Sequence, residues 1–153
     1  MKDMYMSSDD QPQLSEKLHR AVRLFIAGSS LLGQRVAEKL NLHPTDMQFL
    51  NLLDLVGPMT PGALARLSGL SSGGVTVVVD RLEKAGYVKR SAHPDDRRSL
   101  IVSIRPKRHG SVKGNYESAR KQFELVLEGF NDSELEIVLR FFAAANQPRP
   151  HQR

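Results

Sequence analysis

The chain contains no cysteine. That excludes a disulfide framework, a thiol redox switch and every zinc site that needs thiolate ligands. Nor is there an apolar run near the roughly 20 residues needed to span a bilayer. Met1 to Pro12 is polar and acidic rather than a basic-then-apolar leader, so no secretory signal is expected and a cytoplasmic protein is the natural expectation. There is no internal repeat, no nucleophile beside a base, no metal-ligand spacing and no glycine-rich phosphate loop between a strand and a helix. Ser71-Ser72-Gly73-Gly74 looks suggestive of such a loop but follows a helix and a turn. An enzyme is therefore not expected, and neither a cofactor nor a metal is implied.

What is present is enough for a core. Of 153 residues, 40% are hydrophobic and 25% charged, a composition of one folded domain, with or without extensions. The net charge of +5 is unevenly spread. Residues 1–70 balance, and so do residues 111–153. Residues 81–110 carry nine Lys/Arg against three Asp/Glu. Clustered cations of this kind attract a phosphate backbone or an anionic surface.

Periodicity orders the rest. Residues 1–12 have none and are expected to be disordered. From Leu14 to Leu40 apolar side chains recur at helical spacing, giving a helix of about 40 Å. That is too long to pack end to end in a small domain, so part of it is expected to pack on a partner. His43-Pro44-Thr45 opens a second helix that Gly57-Pro58 stops. Thr60-Pro61 opens a short third, with Gly69 placed as its C-terminal cap. Ser71-Ser72 caps a fourth, which Gly86 ends. Its run Val75-Thr76-Val77-Val78-Val79 would also suit a strand; the cap before it and the glycine after it favour helix.

Two short helices joined by a glycine-containing turn form a helix-turn-helix pattern. Two Val/Ile-rich runs then flank His93-Pro94-Asp95-Asp96-Arg97-Arg98, which reads as a charged β-hairpin. Helical spacing resumes from Tyr116 to Phe130 and again from Asp132 to Ala145. The fold expected is mainly α with a small β-hairpin wing: a winged helix-turn-helix over 43–106, helical dimerisation segments at 13–42 and 107–146, and a flexible tail at 147–153.

Four strings in order, Gly57-Pro58-Met59-Thr60-Pro61-Gly62-Ala63-Leu64-Ala65, Leu70-Ser71-Ser72-Gly73-Gly74-Val75-Thr76, Val79-Asp80-Arg81-Leu82-Glu83-Lys84-Ala85-Gly86-Tyr87-Val88 and Asp95-Asp96-Arg97-Arg98-Ser99, closely resemble the MarR family of winged-helix transcriptional regulators. The likeness covers about residues 14–146. It implies a homodimer with interlocked terminal helices, straddling a pseudo-palindromic double-stranded operator, and release of DNA by a small anionic or phenolic effector. One departure stands out: Arg105-Pro106-Lys107-Arg108 occupies the place of a Leu-Thr-Pro-x-Gly string, so the threonine cap is replaced by arginine and positive charge is added. The lack of cysteine removes the peroxide-sensing branch.

On this reading the fourth helix enters the major groove with Ser71, Ser72, Gly73, Thr76 and Val77 towards the bases. These side chains are short, so direct readout is thin and affinity must come from phosphates. Arg81, Lys84, Lys89, Arg90, Arg97 and Arg98 are the candidates. In the family a wing arginine reaches the minor groove; Arg97 or Arg98 matches it, with Asp95 or Asp96 bracing the loop. Asp80 is expected to pair with Lys84 or with an arginine in or near the wing. Gly73 and Gly74 serve either close approach of the backbone to DNA or tight packing on the third helix. His19, Arg23, Arg35 and His43 are read as solvated or paired more readily than as ligand contacts. The competing reading is a winged-helix module for an acidic protein partner without ligand control; salt dependence separates the two.

Overall fold

The first apolar stripe forms helix α1, Asp10–Lys39. The computed structural model describes residues 10–93 and 99–147. α1 begins four residues before the stripe at Leu14, so residues 10–12 are helical rather than irregular. Polar residues leave no trace in an apolar period, and a first-turn proline such as Pro12 loses no intrahelical bond. Asn41, at φ 53°, turns the chain into the left-handed region beyond the C-terminus.

Helix α2 (Pro44–Leu55) starts under His43, whose Nδ1 accepts the Thr45 N–H at 3.2 Å. That contact gives His43 a structural task. Helix α3 (Pro61–Ser68) starts under Thr60 and stops at Gly69, φ 72°. Helix α4 (Ser72–Lys84) starts under Ser71 and is followed by Gly86 at φ 75°. The β-branched run of α4 is thus helical, because Val75, Val78, Val79 and Leu82 fall on one buried stripe.

Strands β1 (Val88–Ala92) and β2 (Leu100–Ile104) pair antiparallel, Val88 opposite Ile104 and Ala92 opposite Leu100. Met59 makes a two-bond bridge to Val102, N–H to carbonyl both ways at 3.1 and 2.8 Å. Pattern reading missed this bridge, since one apolar residue between Pro58 and Thr60 has no period. Met47, Phe49, Leu50, Leu64, Val75, Val79, Leu82, Val88 and Val102 meet in the core between α2, α3, α4 and the hairpin. Val36 and Ala37 tie the C-terminal end of α1 to α2.

Arg105-Pro106 leads straight into helix α5 (Pro106–Gly114), with Arg108 N–H donating to the Arg105 carbonyl at 2.8 Å. The helix expected from Tyr116 is therefore preceded by another, separated from it by a turn at Asn115 and Tyr116. The contacts divide the chain into two units, residues 1–112 and 113–153. α1 groups with the winged core in the first. The second holds α6 (Glu117–Leu127) and α7 (Asp132–Ala145), the latter opened by a capping box between Asn131 and Glu134. No residue of α6 or α7 is buried, although each carries an apolar stripe. No single helix among the described residues is long and apolar enough to cross a membrane.

Candidate nucleic-acid interface

α3 and α4 cross at 111° across a three-residue turn, Gly69 to Ser71. Gly69 supplies the left-handed step, which costs a residue without Cβ nothing. The two caps fix the helix starts: Thr60 Oγ1 accepts from Ala63 N–H and Ser71 Oγ from Gly74 N–H, each at 3.2 Å. This is helix-turn-helix geometry.

Burying the valine stripe forces the opposite face of α4 outward. Ser71, Ser72, Gly73, Thr76 and Val77 are all exposed there, so the expected reading face exists as one surface. Val77 is 60% exposed. The Thr76 hydroxyl donates to the Ser72 carbonyl at 3.0 Å. Its proton is spent, so Thr76 can offer a base only an acceptor oxygen. A methyl group placed on Gly73 would meet no atom within 4 Å, and one on Gly74 would make only ordinary contacts of 3.5 Å and beyond. Packing on α3 therefore does not require either glycine.

The cations sort into two groups. Arg81 lays its Nε and one terminal nitrogen across both oxygens of Asp46, with Nε at 2.9 and 2.8 Å. Asp46 is 1% exposed and the Arg81 side chain 44%. The hydrogen bond to Asp46 raises the Arg81 pKa above its ordinary value. Arg90 reaches back from β1 to α4, binding Asp80 and Glu83 at 2.5 Å each, while its backbone N–H donates to Glu83 at 3.1 Å. Burial works against the Arg90 charge, yet Asp80 and Glu83 leave its pKa raised. Arg81 and Arg90, counted as phosphate ligands from the sequence, thus have their guanidinium groups committed to bracing α4. Asp80 takes the second of the two partners expected for it, the arginine near the wing. Lys84 and Lys89 are exposed and take part in none of the ion pairs among the described residues. Arg97, Arg98, Asp95 and Asp96 lie outside the described residues. Their flanks are joined, His93 N–H donating to the Ser99 carbonyl at 2.9 Å.

A family model described as MarR family matches residues 40–99, the stretch that holds this geometry. An uncharacterised HTH-type transcriptional regulator of Bacillus subtilis, YcgE, is 36% identical over 134 residues, spanning 86% of this chain and 87% of that one. The chain belongs to the MarR family. As a MarR family transcriptional regulator it is a DNA-binding protein, and its winged helix-turn-helix is the module that the family uses. Among solved structures, RV1404 of Mycobacterium tuberculosis is 26% identical with a TM-score of 0.66, covering 97% of this chain and 99% of that one. The transcriptional regulator Tm0710 of Thermotoga maritima is 25% identical with a TM-score of 0.62, covering 85% and 92%. NadR, solved in complex with 4-hydroxyphenylacetate, covers 97% and 99% at a TM-score of 0.67; at 15% identity it shares the fold.

Asp46 is the residue that sequence reasoning missed. A signal was there: Asp46 shares a face with Leu50 and Leu53 of α2, and positions 49 and 50 hold no cation for it. An acid on a buried stripe without a local partner needs a distant one.

Proposed function

We propose that this MarR family regulator is a dimeric, sequence-specific repressor that leaves a pseudo-palindromic operator when a small anionic or phenolic ligand binds. The observation that carries the DNA contact is the outward face of α4. Five short positions, Ser71, Ser72, Gly73, Thr76 and Val77, are exposed together, and Gly73 has room that none of the described residues fills. A backbone that bare can lie close to base edges. Val77 fits a thymine methyl, Thr76 can accept one hydrogen bond and the Ser72 hydroxyl can accept or donate one. Phosphates are held by Lys84, Lys89, Arg97 and Arg98, with one arginine of the wing entering the minor groove. Arg81 and Arg90 contribute by stiffening α4, and their outer edges add to the potential.

Dimerisation is supported by apolar side chains left in solvent. Leu18, Leu24, Ile26 and Leu31 of α1 are at least half exposed, and Ile137 and Leu139 of α7 likewise. Exposed apolar side chains in such number suit an interface. The ligand class is drawn from the family resemblance, and NadR, of the same fold, carries a phenolic acid. His19, Arg20 and Arg23 line one open hollow of about 500 Å³ along α1, with Glu16 beside them, and three basic side chains there suit such a carboxylate. A partner of this kind puts the protein in the cytoplasm with the chromosome.

The deciding experiment is a titration of the promoter region upstream of its own gene at several salt concentrations. A steep loss of affinity is expected, with a slope of about −0.9 per contacted phosphate and several phosphates per lobe. A salt-independent complex, or none, would instead favour a protein partner for the basic stretch.

A further inference from the structure

The packing of α2 on α4 is apolar except at one point. Among the described residues Asp46 is the charged side chain that the core buries. Arg81 answers it with Nε on both carboxylate oxygens, at 2.9 and 2.8 Å, and with Nη2 on Oδ1. No other side-chain hydrogen bond among the described residues joins α4 to another helix. The contact runs from the first turn of α2 to the last turn of α4. Its α2 end is firmly seated. The N–H groups of Asp46 and Met47 donate to the His43 carbonyl at 2.9 and 3.2 Å, and α2 is the helix against which α1 packs.

Stability does not account for the pair. Desolvation offsets most of the Coulomb gain of a buried ion pair, and an apolar pair of similar volume serves as well or better. What a bidentate fork adds is direction. The apolar stripe of α4 lacks it. Val75 and Val79, and likewise Val78 and Leu82, put similar side chains one turn apart, about 5.4 Å along the axis. Apolar burial chooses the face of such a helix and says little about how far along its axis the helix sits. A buried polar contact is the kind that fixes register.

Register matters more for this reading face than for most. Ser71, Ser72, Gly73, Thr76 and Val77 are short and exposed. A long side chain re-extends after a small shift of its helix; a serine hydroxyl or a valine methyl does not. Hydrogen bonds hold over about 2.7–3.2 Å, so a displacement of about 1 Å breaks them. Axial play at Arg81 reaches Ser72, about 14 Å along the same rod, undiminished. We propose that Asp46 is a positioning residue for DNA recognition: acting through Arg81, it fixes the axial placement of α4 and with it the discrimination between base sequences. This role rests on α4 being the helix that meets the bases.

The test uses the full chain, a duplex that the wild type selects from a randomised pool, and a mixed-sequence duplex of equal length. Asp46→Val/Arg81→Met replaces the pair by apolar side chains. Its melting temperature should equal or exceed that of the wild type, while the affinity ratio between the two duplexes falls at least about ten-fold. Arg81→Lys keeps the charge but cannot span both oxygens. It should bind the mixed duplex as the wild type does and lose at least about three-fold in the ratio, and it decides the matter if the apolar pair melts lower. An unchanged ratio in either variant, with the fold intact, would overturn the positioning role. So would equal weakening on both duplexes with a salt slope smaller by about one, which makes Arg81 a phosphate contact and nothing more. A wild type that selects no consensus removes the reading helix itself, and the role of Asp46 with it.

Discussion

Gly73 makes its argument through what it lacks. A first-turn glycine weakens a helix by up to about 1 kcal/mol relative to alanine, and none of the described residues needs the space it leaves. Gly73→Ala should therefore raise the melting temperature while weakening DNA at least about ten-fold, the methyl standing between backbone and base edges. Equal or tighter binding in a gel-shift assay would remove the close-approach reading. Thr76→Ala should behave oppositely, costing less than about ten-fold, since its proton already serves the Ser72 carbonyl. The Asp46–Arg81 pair gives a third contrast at this scale. Arg81→Ala strands a buried carboxylate and should cost about 3 kcal/mol in urea denaturation. Asp46→Asn should cost clearly less, because the half-exposed guanidinium can turn to water and an amide can still accept from it. Equal losses would mean that the pair acts only as packing.

At the scale of elements, the wing and α4 form one braced piece. Arg90 links β1 to Asp80 and Glu83, so cations further along the hairpin are presented from a fixed base. Changing Arg97 and Arg98 together to alanine should abolish tight operator binding and leave the circular dichroism spectrum and melting unchanged; unaltered affinity would refute the wing contact. How well each element could be read from the sequence follows from how local its cause is. Thr60, Gly69, Ser71 and Gly86 act within a few residues of themselves, and the helix bounds fall where they put them. The Asp46–Arg81 pair spans 35 positions and obeys no period, so Arg81 reads from sequence as one more free cation. The start of α1 was hidden because its first residues are polar. The Met59 bridge was hidden because a single residue has no alternation. α5 lies in the region expected to be helical, 107–146, but its separation from α6 was hidden because Pro106–Gly114 carries little apolar pattern.

For the whole molecule, the apolar stripes of the terminal helices set the terms of assembly. α1 is 30 residues long, yet among its described side chains the buried ones lie at its C-terminal end, and α6 and α7 have no buried residue. Such side chains seek a partner surface. Removing residues 1–22 takes Leu14 and Leu18 from the stripe and should shift the sedimentation profile from dimer towards monomer at micromolar concentration. A truncated chain that sediments as a stable dimer would speak against interlocked terminal helices.

The stitch between Met59 and Val102 joins the loop ahead of α3 to the returning arm of the hairpin. With Arg90 clamped on the other side, the bases of both strands are tied to the frame that carries the reading helix. On the proposed DNA contact, a change in the hairpin tip would leave the placement of α4 unaltered, so preference for the outer bases of a target would drift during evolution while preference for its centre stays put.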